Sequence, residues 1–365
     1  MKNARINVVH FYYMPCATAS QSLKYYLCEA YFCLLREERS SSMKNFNIID
    51  LHCDTIVECV TNGADFRSGD GHISLDKLAA GGSLAQCFAI WIPTGKAAER
   101  HHVAGVDYYD YYKTAKKFFF RAMKDNSDVI RQARTVADIE KNKQEGMLSA
   151  ILTVEDSIFV EGKMERIDEM KEDGVRMASL IWNNENCMGY PNRRDFSEHM
   201  MGLKPFGYDA IRKMNEYGII VDVSHLNEGG FWGVAKTSAK PFAASHSCAR
   251  ALCDHPRNLT DEQLKALGEA GGVVGVNFYD AFLHEEETEY TSIADIVKHL
   301  EYMKEKAGIE ALAFGSDFDG ISSKLEFGDY AGFPQVVAAL EDKFTDDEID
   351  KICHGNFLRV MKDNE

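Results

Sequence analysis

Histidines and carboxylates recur at the ends of apolar runs in this chain. His52-Cys53-Asp54 puts an imidazole and a carboxylate at alternating positions, so both side chains can leave a strand on the same face. A neutral imidazole beside a carboxylate suits zinc or another first-row metal. His225 closes Asp222-Val223-Ser224-His225, and His246 sits within Ser245-His246-Ser247. One histidine at a strand end is ordinarily a hydrogen-bonded structural residue. Three of them, with two acids at the same end of separate strands, point to a metal centre instead. Glu155 follows Ala150-Ile151-Leu152-Thr153-Val154 and has two readings. It is a stabilising carboxylate at a helix N-terminus, or a bridge offering one oxygen to each of two metals. Two metals roughly 3.5 Å apart can deprotonate a shared water and polarise a carbonyl. Ligands divided around such a bridge leave open positions on each metal, which is the mark of a catalytic site rather than a structural one.

Gly315-Ser316-Asp317-Phe318-Asp319-Gly320 holds two further acids. Asp317 would face the same rim, where a carboxylate beside an activated water can shuttle a proton. Asp319 reads as a turn residue. Arg257, in Pro256-Arg257-Asn258, could hold a carboxylate through two parallel hydrogen bonds.

These residues need elements to bring them together. Short, nearly continuous apolar runs fall at 47–53, 84–91, 147–154, 175–182, 219–225, 241–246, 273–279 and 312–317, as parallel strands covered on both faces require. Amphipathic stretches at 107–124, 163–173, 204–217, 260–270 and 292–307 predict intervening helices. Gly174, Gly218, Gly272 and Gly308 stand where left-handed C-caps would fall, and Thr260 reads as an N-cap. Eight strands alternating with helices predict an α/β fold, a TIM-like (β/α)8 barrel with a metal site at its C-terminal rim. A doubly wound open sheet is the rival. The clustering of polar residues at the strands' C-terminal ends favours the barrel, because there those ends converge.

Composition removes several other classes. The 365 residues are 45% hydrophobic and 27% charged, which excludes fibrous and disordered chains. A net charge of −16 opposes binding to nucleic acid, and no apolar run is long enough to span a bilayer. The ten cysteines form no CxxC pair and read as reduced thiols in the cytoplasm. Residues 1–42 carry five basic and three acidic residues, show no clean period and hold no motif. They read as an N-terminal extension, with Met43 as the expected natural start and 43–365 as the barrel domain.

The ordered set IIDLHCDT, TVED, DVSH, ASHS, HPRN and GSDFDG resembles the membrane dipeptidase (renal dipeptidase) family of zinc peptidases, bacterial-type members included, over about residues 46 to 358. The resemblance implies a binuclear site with two zinc ions per chain. It also implies hydrolysis of dipeptides by a metal-bridged hydroxide, with tolerance for a C-terminal D-residue. Carried onto this chain, His52 and Asp54 would hold one zinc and His225 and His246 the other, with Glu155 bridging. Asp317 would be the acid/base residue, and Arg257 would bind the dipeptide's free carboxylate. Where the best-known members have a substrate-contacting histidine, this chain has Trp182, followed by Asn183 and Asn184, either of which could donate to the substrate instead. The expected partner is a dipeptide, with neither membrane nor nucleic acid, and a homodimer is the candidate assembly. Hydrolysis of another small amide or lactam is the alternative activity, and a non-catalytic metal-binding barrel is a third reading.

Overall fold

The fold places the C-terminal ends of eight parallel strands around one opening. In the computed structural model, residues 46–286 and 288–365 are described, and Phe46–Glu365 pack as one unit. The proposed extension, 1–42, lies outside the described residues. The strands are β1 (Ile48–Asp50), β2 (Ser83–Trp91), β3 (Ile130–Gln132), β4 (Leu148–Glu155), β5 (Met177–Ser179), β6 (Ile220–Asp222), β7 (Ala243–Ala244), β8 (Val273–Val276), β9 (Tyr290–Thr291), β10 (Leu312–Phe314) and β11 (Lys324–Leu325). The ring runs β2-β1-β10-β8-β7-β6-β5-β4 and closes by pairing β4 with β2. In that closing seam Ala85 to Trp91 register with Ser149 to Glu155. The result is the closed eight-stranded parallel barrel that the alternating pattern predicts.

Three short strands escape the pattern. β3 adds to the early part of β4, and β9 pairs with β11 apart from the barrel. At two or three residues each, they are too short for a period to show.

Side-chain alternation sorts the barrel into two apolar layers. Ile49, Cys87, Ile151, Ile220, Val273 and Ala313 belong to an inner cluster, closed off by Phe357, Val360 and Met361 of the C-terminal helix Asn356–Asn364. Their neighbours Ile48, Phe88, Leu152, Val221, Val274 and Phe314 pack outward beneath the helices. Counting by twos from the inner Ile151 reaches Glu155, so its inward aim follows from the strand period.

Helices form at Tyr108–Asp125, Glu165–Asp173, Pro205–Tyr217, Asp261–Glu269 and Ile293–Ala307, each within two residues of its predicted limits. Thr260 caps the fourth with a reciprocal box to Gln263. Gly174 and Gly218 take the left-handed cap. After Asp261–Glu269 the positive φ belongs to Gly271 rather than Gly272, because that helix ends a residue earlier than its pattern.

Several strands are shorter than their apolar runs, and two of them, β6 and β10, run into left-handed backbone three residues beyond their ends. Asp156, His225, Asp317 and Asp319 all have φ between 63° and 68°. Such angles are unfavourable for a side-chain-bearing residue and end an extended ladder. The chain leaves the sheet where its polar residues begin.

Candidate metal centre

Six of the predicted residues meet at the rim. His52 and Asp54 follow β1, Glu155 ends β4, His225 follows β6, His246 follows β7 and Asp317 follows β10. Their ligand atoms form three overlapping groups: His52, Asp54 and Glu155; Glu155, His225 and His246; His52, His246 and Asp317. Glu155 divides its two oxygens between sides. Oε2 lies 3.5 Å from His52 Nε2, whereas Oε1 lies 2.8 Å from His225 Nε2 and 3.6 Å from His246 Nε2. Asp54 Oδ2 is 3.7 Å from His52 Nε2, and Asp317 Oδ1 is 3.9 Å from it.

This donor set fits metal ions on its own chemistry. His52 Nε2 and Asp54 Oδ1 are buried without a hydrogen-bond partner, which is costly for groups of that polarity. Burial, with Arg257 and His52 nearby, holds His225 and His246 well below the usual histidine range, so both are neutral. Their Nε2 atoms stand 3.0 Å apart, crowded against a carboxylate oxygen. Burial pushes Glu155 up to about 8, with His52 opposing and Asp54 reinforcing the rise. Although burial disfavours its cation, the Glu155 and Asp54 carboxylates hold His52 well above its ordinary value. Electron-rich groups converge here beyond what the local cations can balance, and a bound metal would supply that charge.

Asp317 is held from behind. Asn277 Nδ2 donates to its Oδ2 at 2.9 Å, leaving Oδ1 turned toward His52. Burial raises its carboxyl to about 6. The backbone at Gly320 runs directly over two of these acids. A Cβ there would lie 2.2 Å from Asp54 Oδ2 and 2.7 Å from Asp317 Oδ1, so a side chain at this position would displace both carboxylates.

Asp319 does more than the turn expected of it. Its Oδ2 accepts from Thr55 Oγ1 at 2.6 Å and its Oδ1 from the His72 backbone N–H at 2.6 Å. It therefore ties the loop after β10 to segments more than 240 residues earlier.

A cavity of about 470 Å³ opens over the centre, in the size range of small-molecule sites. Asp54, Glu155, His225 and Asp317 form part of its floor, with walls that include Trp91, Trp182, Tyr279 and Phe282. Trp182 stands against Trp91, ring centroids 4.9 Å apart, and 6.1 Å from the His225 ring.

The two asparagines after Trp182 part company. Asn183 lines the cavity and its Oδ1 meets His225 Nδ1 at 3.2 Å. Asn184 is absent from the lining, and its amide donates to Thr94 Oγ1. The buried member of this stretch is Asn186, which bonds Asp156, the Leu180 carbonyl and the Met188 N–H. Arg257 is buried beside the cavity rather than in its lining. Its Nη2 donates to the His246 carbonyl at 3.2 Å, its guanidinium lies over the Phe282 ring at 5.3 Å, and its Nε has no partner.

Sequence reasoning passed over Asp50, Asp222, Ser245 and Asn277. The first two left a signal: an acid within an otherwise apolar strand run, where an unpaired charge is expensive.

Residues 36–365 match the model of a family described as membrane dipeptidase, peptidase family M19. A protein of Klebsiella pneumoniae named for its place in the pqqA 5' region is 37% identical over 242 residues, covering 64% of this chain and 88% of its own. The dipeptidase aclJ of Aspergillus oryzae is 29% identical over 311 residues, covering 83% of this chain and 73% of its own. A metallo peptidase from Rhodobacter sphaeroides, crystallised with a phosphinate mimic of the dipeptide L-Ala-D-Ala, superposes with a TM-score of 0.80 at 25% identity. It covers 87% of this chain and 99% of its own.

Proposed function

This chain belongs to the membrane dipeptidase family of metallopeptidases, and from that membership we propose a binuclear zinc dipeptidase that accepts a D-residue at the C-terminal position. One observation carries the binuclear reading: Glu155 turns one oxygen to His52 and the other to His225 and His246. His52 and Asp54 would hold one ion, His225 and His246 the second, and Glu155 both. When bound, two such ions would lower the pKa of a shared water and polarise the scissile carbonyl.

The remaining steps belong to this chain's own residues. Asp317 Oδ1 takes the proton of the attacking water and delivers it to the leaving amine. A carboxyl positioned in this way serves as the proton carrier for both transfers. Asn277 keeps Oδ2 occupied, so the proton stays on the oxygen facing the cavity. Arg257 stands beside the cavity with its Nε unpartnered, and a turn of its side chain toward the cavity would offer that donor to the substrate's free carboxylate. A carboxylate held there, one residue from the scissile bond, would favour dipeptides over longer peptides. Trp91 and Trp182 supply an apolar wall that excludes water from the reacting carbonyl. Tolerance for a D-residue draws support from the Rhodobacter sphaeroides relative and its L-Ala-D-Ala mimic.

A cytoplasmic location is part of the same reading. Among the described residues seven cysteines are free thiols, as a reducing compartment would keep them, and no helix is long and apolar enough to cross a membrane.

The test is amino-acid release from L,L- and L,D-dipeptides and matched tripeptides by zinc-loaded protein, with and without a chelator. Dipeptide cleavage that the chelator abolishes is expected. No release from protein shown to hold two ions would transfer the assignment to another amide or lactam.

A further inference from the structure

Asp222 and Ser245 lie inside the motifs DVSH and ASHS, yet neither is a ligand and neither touches the cavity. Both are almost wholly buried. Asp222 Oδ1 accepts the backbone N–H groups of Ser224 and Ser245, each at 2.9 Å. Its Oδ2 lies 2.5 Å from Ser245 Oγ. Ser245 Oγ in turn lies 2.7 Å from His246 Nδ1 and 3.2 Å from Ser224 Oγ. Ser224 Oγ accepts the His246 backbone N–H at 3.1 Å.

Counting protons along this chain leaves one arrangement. A carboxylate only accepts, so the Ser245 hydroxyl hydrogen goes to Asp222. The two lone pairs of Ser245 Oγ then receive the Ser224 hydroxyl and the proton on His246 Nδ1. A histidine protonated at Nδ1 presents a bare lone pair at Nε2, the atom that faces Glu155 and His225. A Cβ on Gly315, the residue after β10, would lie 1.8 Å from the Ser245 carbonyl oxygen, so the backbone that carries this serine is closely packed.

We propose that Asp222 and Ser245 are positioning residues that set the His246 tautomer and thereby secure metal at the His225–His246 side. The inference rests on the binuclear reading above. Outer partners of this kind are worth about 10- to 100-fold in metal affinity.

Asp222→Asn is the sharpest variant, because it keeps the shape and reverses one hydrogen bond. The amide nitrogen placed there would donate to Ser245 Oγ, turn the serine hydroxyl toward His246 Nδ1, and move the histidine proton to Nε2. Ser245→Ala removes the relay without adding bulk, and it carries the same test should Asp222→Asn fail to fold. Zinc content would be measured on purified holoprotein dialysed against graded chelator, alongside thermal unfolding and the visible spectrum after cobalt exchange. The expected result is two ions in the wild-type protein and a weaker second ion in both variants, by about 10- to 100-fold. The first ion should be unchanged, and one cobalt environment should be lost. Two ions in the wild type with equal retention in the variants would overturn this inference alone. Fewer than two in the wild type would overturn the binuclear reading and this inference with it.

Discussion

The two sides of the centre are built on one device with different outcomes. On the β1–β10 side, Asp50 accepts the Ser316 N–H at 2.8 Å and the Ser316 hydroxyl at 2.7 Å, helped by Gln86 Nε2 at 2.9 Å. On the β6–β7 side, Asp222 captures Ser245 in the same double fashion. Each serine immediately precedes a site residue, Asp317 or His246. The difference lies in what the hydroxyl meets next. Ser316 Oγ meets backbone only, the Phe318 N–H and the His52 carbonyl. Ser245 Oγ meets the His246 ring. One side is therefore held through chain geometry, with Asp317 at a positive φ and the backbone at Gly320 pressed on two acids. The other is held through a side-chain relay. A buried carboxylate at a strand end can fix a backbone or a tautomer, and its neighbour decides which.

Glu155 is the one residue both sides share, so changing it should break the comparison most completely. Glu155→Ala is expected to leave no measurable peptidase activity and fewer than two bound ions, read by metal analysis of the purified protein. Asp317→Asn should separate chemistry from metal binding. It should lower kcat by about 10² to 10⁴, the usual worth of a positioned proton carrier, while both ions remain; loss of an ion would instead make Asp317 a ligand. Asn183→Ala should weaken metal on the His225 side by about tenfold, at the lower end for outer partners because this residue is exposed. Asn184→Ala should leave metal content and turnover unaltered, and equal effects of the two would contradict the division of labour seen here. Asn186→Ala should act on neither side. It should cost about 1–3 kcal/mol of stability by leaving buried partners unmet, seen as a lower Tm at unchanged zinc content.

Much of this was legible before any coordinates. Apolar runs of strand length, helical periods between them and polar residues at one end of each run led to the barrel, and alternation put His52 and Asp54 on one face. Legibility ended where conformation ceased to be periodic. No pattern announces that the chain leaves β6 and β10 with φ above +60° at His225 and Asp317. Nor does any local signal separate Asn183 from Asn184, since adjacent residues leave the backbone in different directions. Asp319 looked like a turn because its partners, Thr55 and His72, lie so far upstream.

The amino-acid sequence by itself determined which chemical groups stand at the strand ends, the alternation that makes a parallel barrel close, and the family. These rest on local period and residue type, which a linear string carries in full. The tertiary structure alone decided which Glu155 oxygen faces which histidines, which asparagine reaches His225, and that Asp50 and Asp222 each seize a serine from a neighbouring strand. The reason is distance along the chain. Asp50 and Ser316 are 266 residues apart, and only closure of the ring, β1 against β10, brings a hydrogen bond between them within reach.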